Sequence, residues 1–258
     1  MARSEDHIYL QTVPRPIAAM AKHYPAHYAG YRHTHTRAQL LYAGSGTMRF
    51  TIDAGCWIIP PRRAVWIPPD YPHQTGSLGP LEMKTLYIER EAVPACAPKV
   101  PRMLPVSTLL HELICRATIM PIEYEIDGQD GLILTTLLGE IDWKAIHPLS
   151  LPILHDPRLI QIERQIVRSP SKRKTLAVWA RTCSVSPSTL TRLIQHETGL
   201  SFAEWRDRVL AFIAIPMLAK GHLLTEIADA LGYDTAWSFT AMFKRVTGKV
   251  PSRFMDPA

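Results

Sequence analysis

Between about residues 15 and 92, apolar positions come in short runs broken by Pro and Gly. "AQLLYAGSGTMRFTID" reads as two strands joined by a Gly-Ser-Gly turn, because Gly supplies the positive φ that a hairpin needs. "GCWIIPPRRAVWIPPDYPH" gives two more strands, whose prolines suit edges and corners better than a central strand. "LEMKTLYIE" alternates as a fifth. Many short strands with no helix between them predict a β-sandwich or a small barrel.

The spacing then becomes helical. Ser107 is a cap for a helix with Leu109, Leu110, Leu113, Ile114 and Ala117 on its apolar side. A second helix runs through "LILTTLLGEIDWKAI", with a stripe of Leu132, Ile133, Leu137, Leu138 and Ile141. That stripe either pairs with a second subunit or is buried within its own. "HPLSLPILHDP" follows, rich in proline and without apolar periodicity, and residues 151–157 are assigned as an interdomain linker.

From residue 158 the chain reads as all helix. Leu159, Ile162, Ile166 and Val167 fall on one stripe. Thr175 caps a short helix carrying Leu176, Val178, Trp179 and Ala180, and "TCSVS" is a tight turn. Ser186 caps the next helix, with Pro187 at its first position and Gly199 at its left-handed end. Two short helices joined by a few residues form a helix-turn-helix. The plan recurs: Thr225 caps "EIADALG", Gly232 makes the turn, and a helix ends at Gly248 with Phe239, Met242, Phe243 and Val246 facing the core. A long helix bridges the two units, opening on a Ser201–Glu204 capping box and ending at Gly221. Pro216 lies in it, where a proline costs about 3 kcal/mol or a kink.

Charge separates the two halves. Residues 1–157 carry 14 Lys and Arg against 15 Asp and Glu, whereas 158–258 carry 15 against 8. The basic excess belongs to the C-terminal part and suits a polyanion partner. The four cysteines, at 56, 96, 115 and 183, have neither CxxC nor zinc spacing, which suits the cytosol. No apolar run approaches the roughly 20 residues that span a bilayer, and the first residues do not read as a secretory signal.

"RHTHTRAQLLYAGSG" sets His33 and His35 on one face of a strand, with Gln39 following on that face. It resembles the first cupin motif through Gly30, His33, His35, Gln39 and Gly46; "PPDYPH" resembles the second through Pro68 and His73, with Asp70 in place of the usual Gly. In metal cupins such a set gives imidazoles and one carboxylate to a divalent ion. Gln39 replaces the carboxylate, which counts against redox or hydrolytic chemistry but not against metal binding. His33, His35, Gln39 and His73 therefore bind a metal, hydrogen-bond a small effector, or line a barrel mouth without a ligand.

"GLSFAEWRDRVL" followed by "TEIADALGYDTAWSFTAMFKRVTGKVPSRF" is similar to the DNA-binding domain of AraC-family transcription regulators, over roughly residues 158–256. The whole chain resembles the branch with a cupin-type sensor ahead of that domain. The resemblance implies an α+β two-domain protein: a cupin-like β-barrel with appended helices (1–150), then an all-α domain (158–258) with helix-turn-helix units near 175–198 and 225–247. It implies a bacterial one-component regulator, activator or repressor, and not an enzyme. The alternative is a metal-dependent cupin enzyme with a helical appendage.

Carried over residue by residue, the base-contacting positions are Ser188, Thr191 and Arg192 in the first unit and Ala236, Trp237 and Ala241 in the second. Lys244 and Arg245 meet phosphates. Where the family has Phe and basic residues before "ETG", this chain has Ile194, Gln195 and His196. The implied partners are double-stranded DNA, a small-molecule effector, a second copy of the chain, and RNA polymerase for an activator. No membrane is implied, and the only cofactor in prospect is a divalent metal in the cupin domain.

Overall fold

The computed structural model describes residues 8–144, 151–152, 154–171 and 174–254. The chain divides into two compact units: the β-rich half through residue 147, and the helical half after it together with Thr51–Ile58. Of the proline-rich stretch, residues 147–150 and 153 lie outside the described residues. Its last two residues belong to a helix start, since Asp156 caps and Pro157 opens the helix that follows.

The strands are β1 (Ile17–Tyr24), β2 (Ala38–Ser45), β3 (Met48–Ile52), β4 (Gly55–Ile59), β5 (Arg63–Ile67), β6 (Gln74–Ser77), β7 (Leu81–Ile88) and β8 (Arg102–Pro105), and all but the end of β3 and most of β4 fall in the β-rich unit. They form a five-stranded sheet, ordered β1-β7-β2-β5-β8, and a three-stranded sheet, β4-β3-β6. The barrel is thus not closed. β5 lies inside its sheet rather than at an edge, and the prolines around it sit at corners beyond both of its ends. Gly46, at φ +77°, makes the β2–β3 turn, where an added Cβ would run into the Pro80 carbonyl.

Strand alternation sorts the side chains of the larger sheet. Leu40, Tyr42, Trp66, Leu86 and Ile88 belong to one apolar cluster with residues of α1 (Thr108–Ala117) and α2 (Gln129–Gly139). Gln39, Leu41, Met83, Thr85 and Tyr87 take the alternate positions, facing inward. The Arg37 guanidinium, buried, donates to the carbonyls of Gln11, Val13 and Arg15 and to Glu89, fixing the segment before β1.

Two helical stripes differ from expectation. Leu109 is 51% exposed and Leu132 67% exposed, while Leu134, Leu137 and Ile141 are buried against the sheet. α2 starts at Gln129 and carries apolar residues on several sides, so spacing alone did not single out its buried face. Leu137, expected either to meet a second subunit or to be buried, is fully buried in its own.

The helical half contains α3 (Pro157–Arg168), α4 (Leu176–Thr182), α5 (Pro187–Thr198), α6 (Phe202–Ala219), α7 (Leu224–Ala230), α8 (Ala236–Thr247) and α9 (Pro251–Phe254). Thr175, Ser186 and Ser201 cap α4, α5 and α6 as their spacing predicts. Thr225 does not cap α7. Leu223 holds that position, and the Glu226 carboxylate accepts from its N–H at 3.0 Å, the half of a capping box that needs no hydroxyl. Val167 is exposed rather than on the stripe of α3, and Val246 is only half-buried in α8, where Thr247 is buried instead.

α6 is the axis of this unit. Trp205, Val209, Leu210, Ala211, Phe212, Ala214 and Ile215 are buried around most of its circumference, and Phe239, Met242 and Phe243 of α8 are likewise enclosed. Pro216 falls in the last turn, and α6 continues through it to Ala219. So late in the helix, the missing N–H removes one bond and does not end the helix.

Candidate effector site and nucleic-acid interface

In the β-rich unit, His33 and His73 are drawn together by backbone pairing. His33 N donates to His73 O at 2.9 Å, and His73 N donates to His33 O at 3.0 Å. His35 lies two residues further along, its ring 5.0 Å from that of His73. One nitrogen from each of the three imidazoles lies within 4.8 Å of the others.

Each Nδ1 faces a backbone carbonyl: Tyr31 O for His33 (3.1 Å), Arg37 O for His35 (2.6 Å) and Tyr71 O for His73 (2.8 Å). A carbonyl accepts, so each Nδ1 carries a proton, and a ring that is neutral then keeps its lone pair on Nε2. Burial holds His35 below the usual histidine range and His73 at about 3, so both rings are neutral at neutral pH. His73 Nε2 is buried and has no hydrogen-bond partner.

Gln39 closes the cluster. Its amide oxygen lies 2.7 Å from His35 Nε2, and its amide nitrogen donates to Thr85 Oγ1 at 2.9 Å. A neutral His35 has one N–H for the two oxygens that face it, Arg37 O and Gln39 Oε1, so with the proton on Nδ1 this amide must turn over for its nitrogen to donate to Nε2. Asp70 is not part of the site: its carboxylate pairs with Arg90 at 2.5 Å. It stands at φ +59°, a left-handed conformation that Gly adopts freely and Asp tolerates, which explains how it replaces the motif's Gly.

His33, Gln39 and His73 line a cavity of about 190 Å³. Met20, Lys22 and Tyr24 of β1 also line it, with Tyr28, Tyr31, Thr75, Met83 and Tyr87. Sequence reasoning missed these residues. The alternation of 20, 22 and 24 on one strand was a usable signal, but β1 had not been read as a strand.

In the helical unit, Ser188, Thr191 and Arg192 are all exposed on α5, opposite the buried Leu190 and Ile194. Ile194 is fully buried, so the replacement of an aromatic there is a core change; Gln195 and His196 are exposed. Ser188 shares its hydroxyl with the Ser186 cap at 2.8 Å, and the Thr191 hydroxyl donates back to Pro187 O at 3.0 Å. Arg192 has no hydrogen bond or ion pair among the described residues and extends from the same face.

α8 presents a different face. Trp237 is 80% exposed, Ala241 is exposed and Ala236 is half-buried. The hydroxyls nearby are taken: Thr235 caps the helix through Ser238 N, and Ser238 donates to Thr235 O at 2.8 Å. Lys244 is exposed, whereas the Arg245 guanidinium donates to Asp207 of α6 at 2.5 Å. Arg245 thus ties the second unit to the bridging helix.

Comparison with known proteins agrees with both halves. Residues 179–256 match a helix-turn-helix domain model, and residues 16–140 match the model of the AraC-like ligand binding domain. The chain is 30% identical over 223 residues to the HTH-type transcriptional regulator NimR of Escherichia coli strain K12, covering 86% of this chain and 81% of that protein. It is 34% identical over 104 residues to the HTH-type transcriptional regulator RipA of Corynebacterium glutamicum, covering 40% of this chain and 31% of that one. Among solved structures, ToxT from Vibrio cholerae aligns over 93% of this chain and 98% of its own, at 11% identity and a TM-score of 0.38. The relatives are regulators, which sets the enzyme alternative aside. With a ligand-binding domain joined to a helix-turn-helix domain, the chain belongs to the AraC family of transcription regulators.

Proposed function

We propose that this regulator senses through a divalent ion held by His33, His35 and His73. The observation that carries the reading is the buried His73 Nε2, a lone pair without a donor, set among two more imidazoles whose Nδ1 atoms are already committed. Such second bonds orient metal-binding histidines and fix their tautomer. Three imidazoles suit a borderline divalent cation, and Gln39, whose amide oxygen lies 2.7 Å from His35 Nε2, offers a neutral fourth donor. When bound, the ion supplies a Lewis-acidic centre for an oxygen ligand; the cavity residues select and orient that ligand.

On the DNA side, α5 reads base edges through Arg192, while α8 contributes Trp237 and Ala241 as apolar contacts and Lys244 as a phosphate contact. Double-stranded DNA is then the partner in the bacterial cytoplasm, with RNA polymerase a second one where the regulator activates. Among the described residues no helix is long and apolar enough to cross a membrane.

Metal analysis of the full chain purified without chelators tests the sensing reading. About one divalent ion per chain is expected, and His33→Ala should lose it while circular dichroism stays unchanged. Substoichiometric metal, unaffected by His33→Ala, would overturn it.

A further inference from the structure

The cavity beside the histidines has an unbalanced charge. Lys22 lines it, and none of its described lining residues is an Asp or Glu. Glu82 of β7 is paired with Lys84, Glu89 at the end of β7 with Arg37, and Asp70 beyond β5 with Arg90. Gln39 supplies an amide where a carboxylate would neutralise an ion. A half-enclosed site with uncompensated positive charge favours a ligand that brings the negative charge with it.

The walls describe the rest of that ligand. Tyr24, Tyr28, Tyr31 and Tyr87 offer ring faces and edges, and Met20 and Met83 offer polarizable thioethers, which suit a flat aromatic body. The volume of about 190 Å³ is below the roughly 300 Å³ at which pockets for larger ligands begin, so a single ring fits best.

We propose that the effector is a monocyclic aromatic carboxylate, with its ring among the tyrosines and its negative charge balanced by Lys22 and the histidine site. The inference rests on the reading of a divalent ion at that site. It adds the ligand's class and a role for Lys22.

The test uses the cobalt-loaded full chain, with benzoate, salicylate and nicotinate as probes and their uncharged amides as controls. At least one acid should perturb the visible cobalt spectrum and raise the melting temperature, binding roughly tenfold or more tighter than its amide. Lys22→Met should weaken that acid by a similar factor. Cobalt uptake by the variant, read from the same spectrum, separates loss of fold from loss of the anion contact. Equal binding of acids and amides, full acid affinity in Lys22→Met, or no response to any acid would overturn the inference. If cobalt is not taken up but an acid still stabilises the protein through Lys22, the metal reading fails and the anion inference stands.

Discussion

The two recognition helices of this regulator begin and end alike and differ in between. Both α5 and α8 start at a hydroxyl cap, Ser186 and Thr235, and both stop at a left-handed glycine, Gly199 and Gly248. Each buries one face, through Leu190 and Ile194 in α5 and through Phe239, Met242 and Phe243 in α8. On the outer face α5 presents a guanidinium, at Arg192, whereas α8 presents an indole, at Trp237, between two alanines. The arginine that α8 does possess, Arg245, is bound to Asp207. The comparison teaches that a duplicated scaffold does not imply duplicated readout. Caps and core specify the helix twice, while the exposed positions are free to assign each copy a different kind of contact.

The largest effect that would break this contrast is at Arg192. A guanidinium can bond guanine O6 and N7 together, so Arg192→Ala should cost about 1–3 kcal/mol on the specific site and little on random DNA. Competition gel shifts with both DNAs read the difference. Equal losses on the two would make Arg192 a phosphate contact and remove the distinction between the helices.

Trp237 gives a smaller effect. If its indole packs on a thymine methyl, replacing thymine by uracil in the second half-site should weaken the wild type by about 0.8 kcal/mol, the value of one buried methyl(ene). Trp237→Ala should bind both DNAs alike. A variant that still prefers thymine would place the methyl contact on another residue.

Lys244→Ala should weaken specific and random DNA equally and lower the slope of log K against log salt by about one. Smaller still is the effect of Asp207→Asn, which releases Arg245. Because Arg245 is mostly solvent-exposed, the lost pair should cost under about 1 kcal/mol in urea unfolding. The freed guanidinium should steepen the salt slope; an unchanged slope would mean that Arg245 serves the fold alone.

What the sequence disclosed followed the range of the interactions. The caps at Ser107, Ser186 and Ser201 involve residues within three or four positions, and all three were legible. So was the convergence of His33, His35 and His73, because two short motifs mark the segments that carry them, although these segments precede β2 and β6 and are not strands themselves. Lys22 and Tyr87 were not, since they reach the cavity through the pairing of β1 with β7, where Ala18 lies opposite Tyr87 and Lys22 opposite Met83. α2 misled for another reason: Leu132 and Leu134 are chemically alike, and only the sheet decides which is buried. The Asp207–Arg245 pair spans 38 positions and has no local signature.

The division of labour between the two helices is tested most directly by selecting binding sites for the wild-type chain from a fully random DNA library. The account predicts one block of strongly preferred guanines, read by α5, and about one helical turn away a weaker preference for thymine, read by α8. Two blocks of equal strength, each with its own guanine preference, would contradict it.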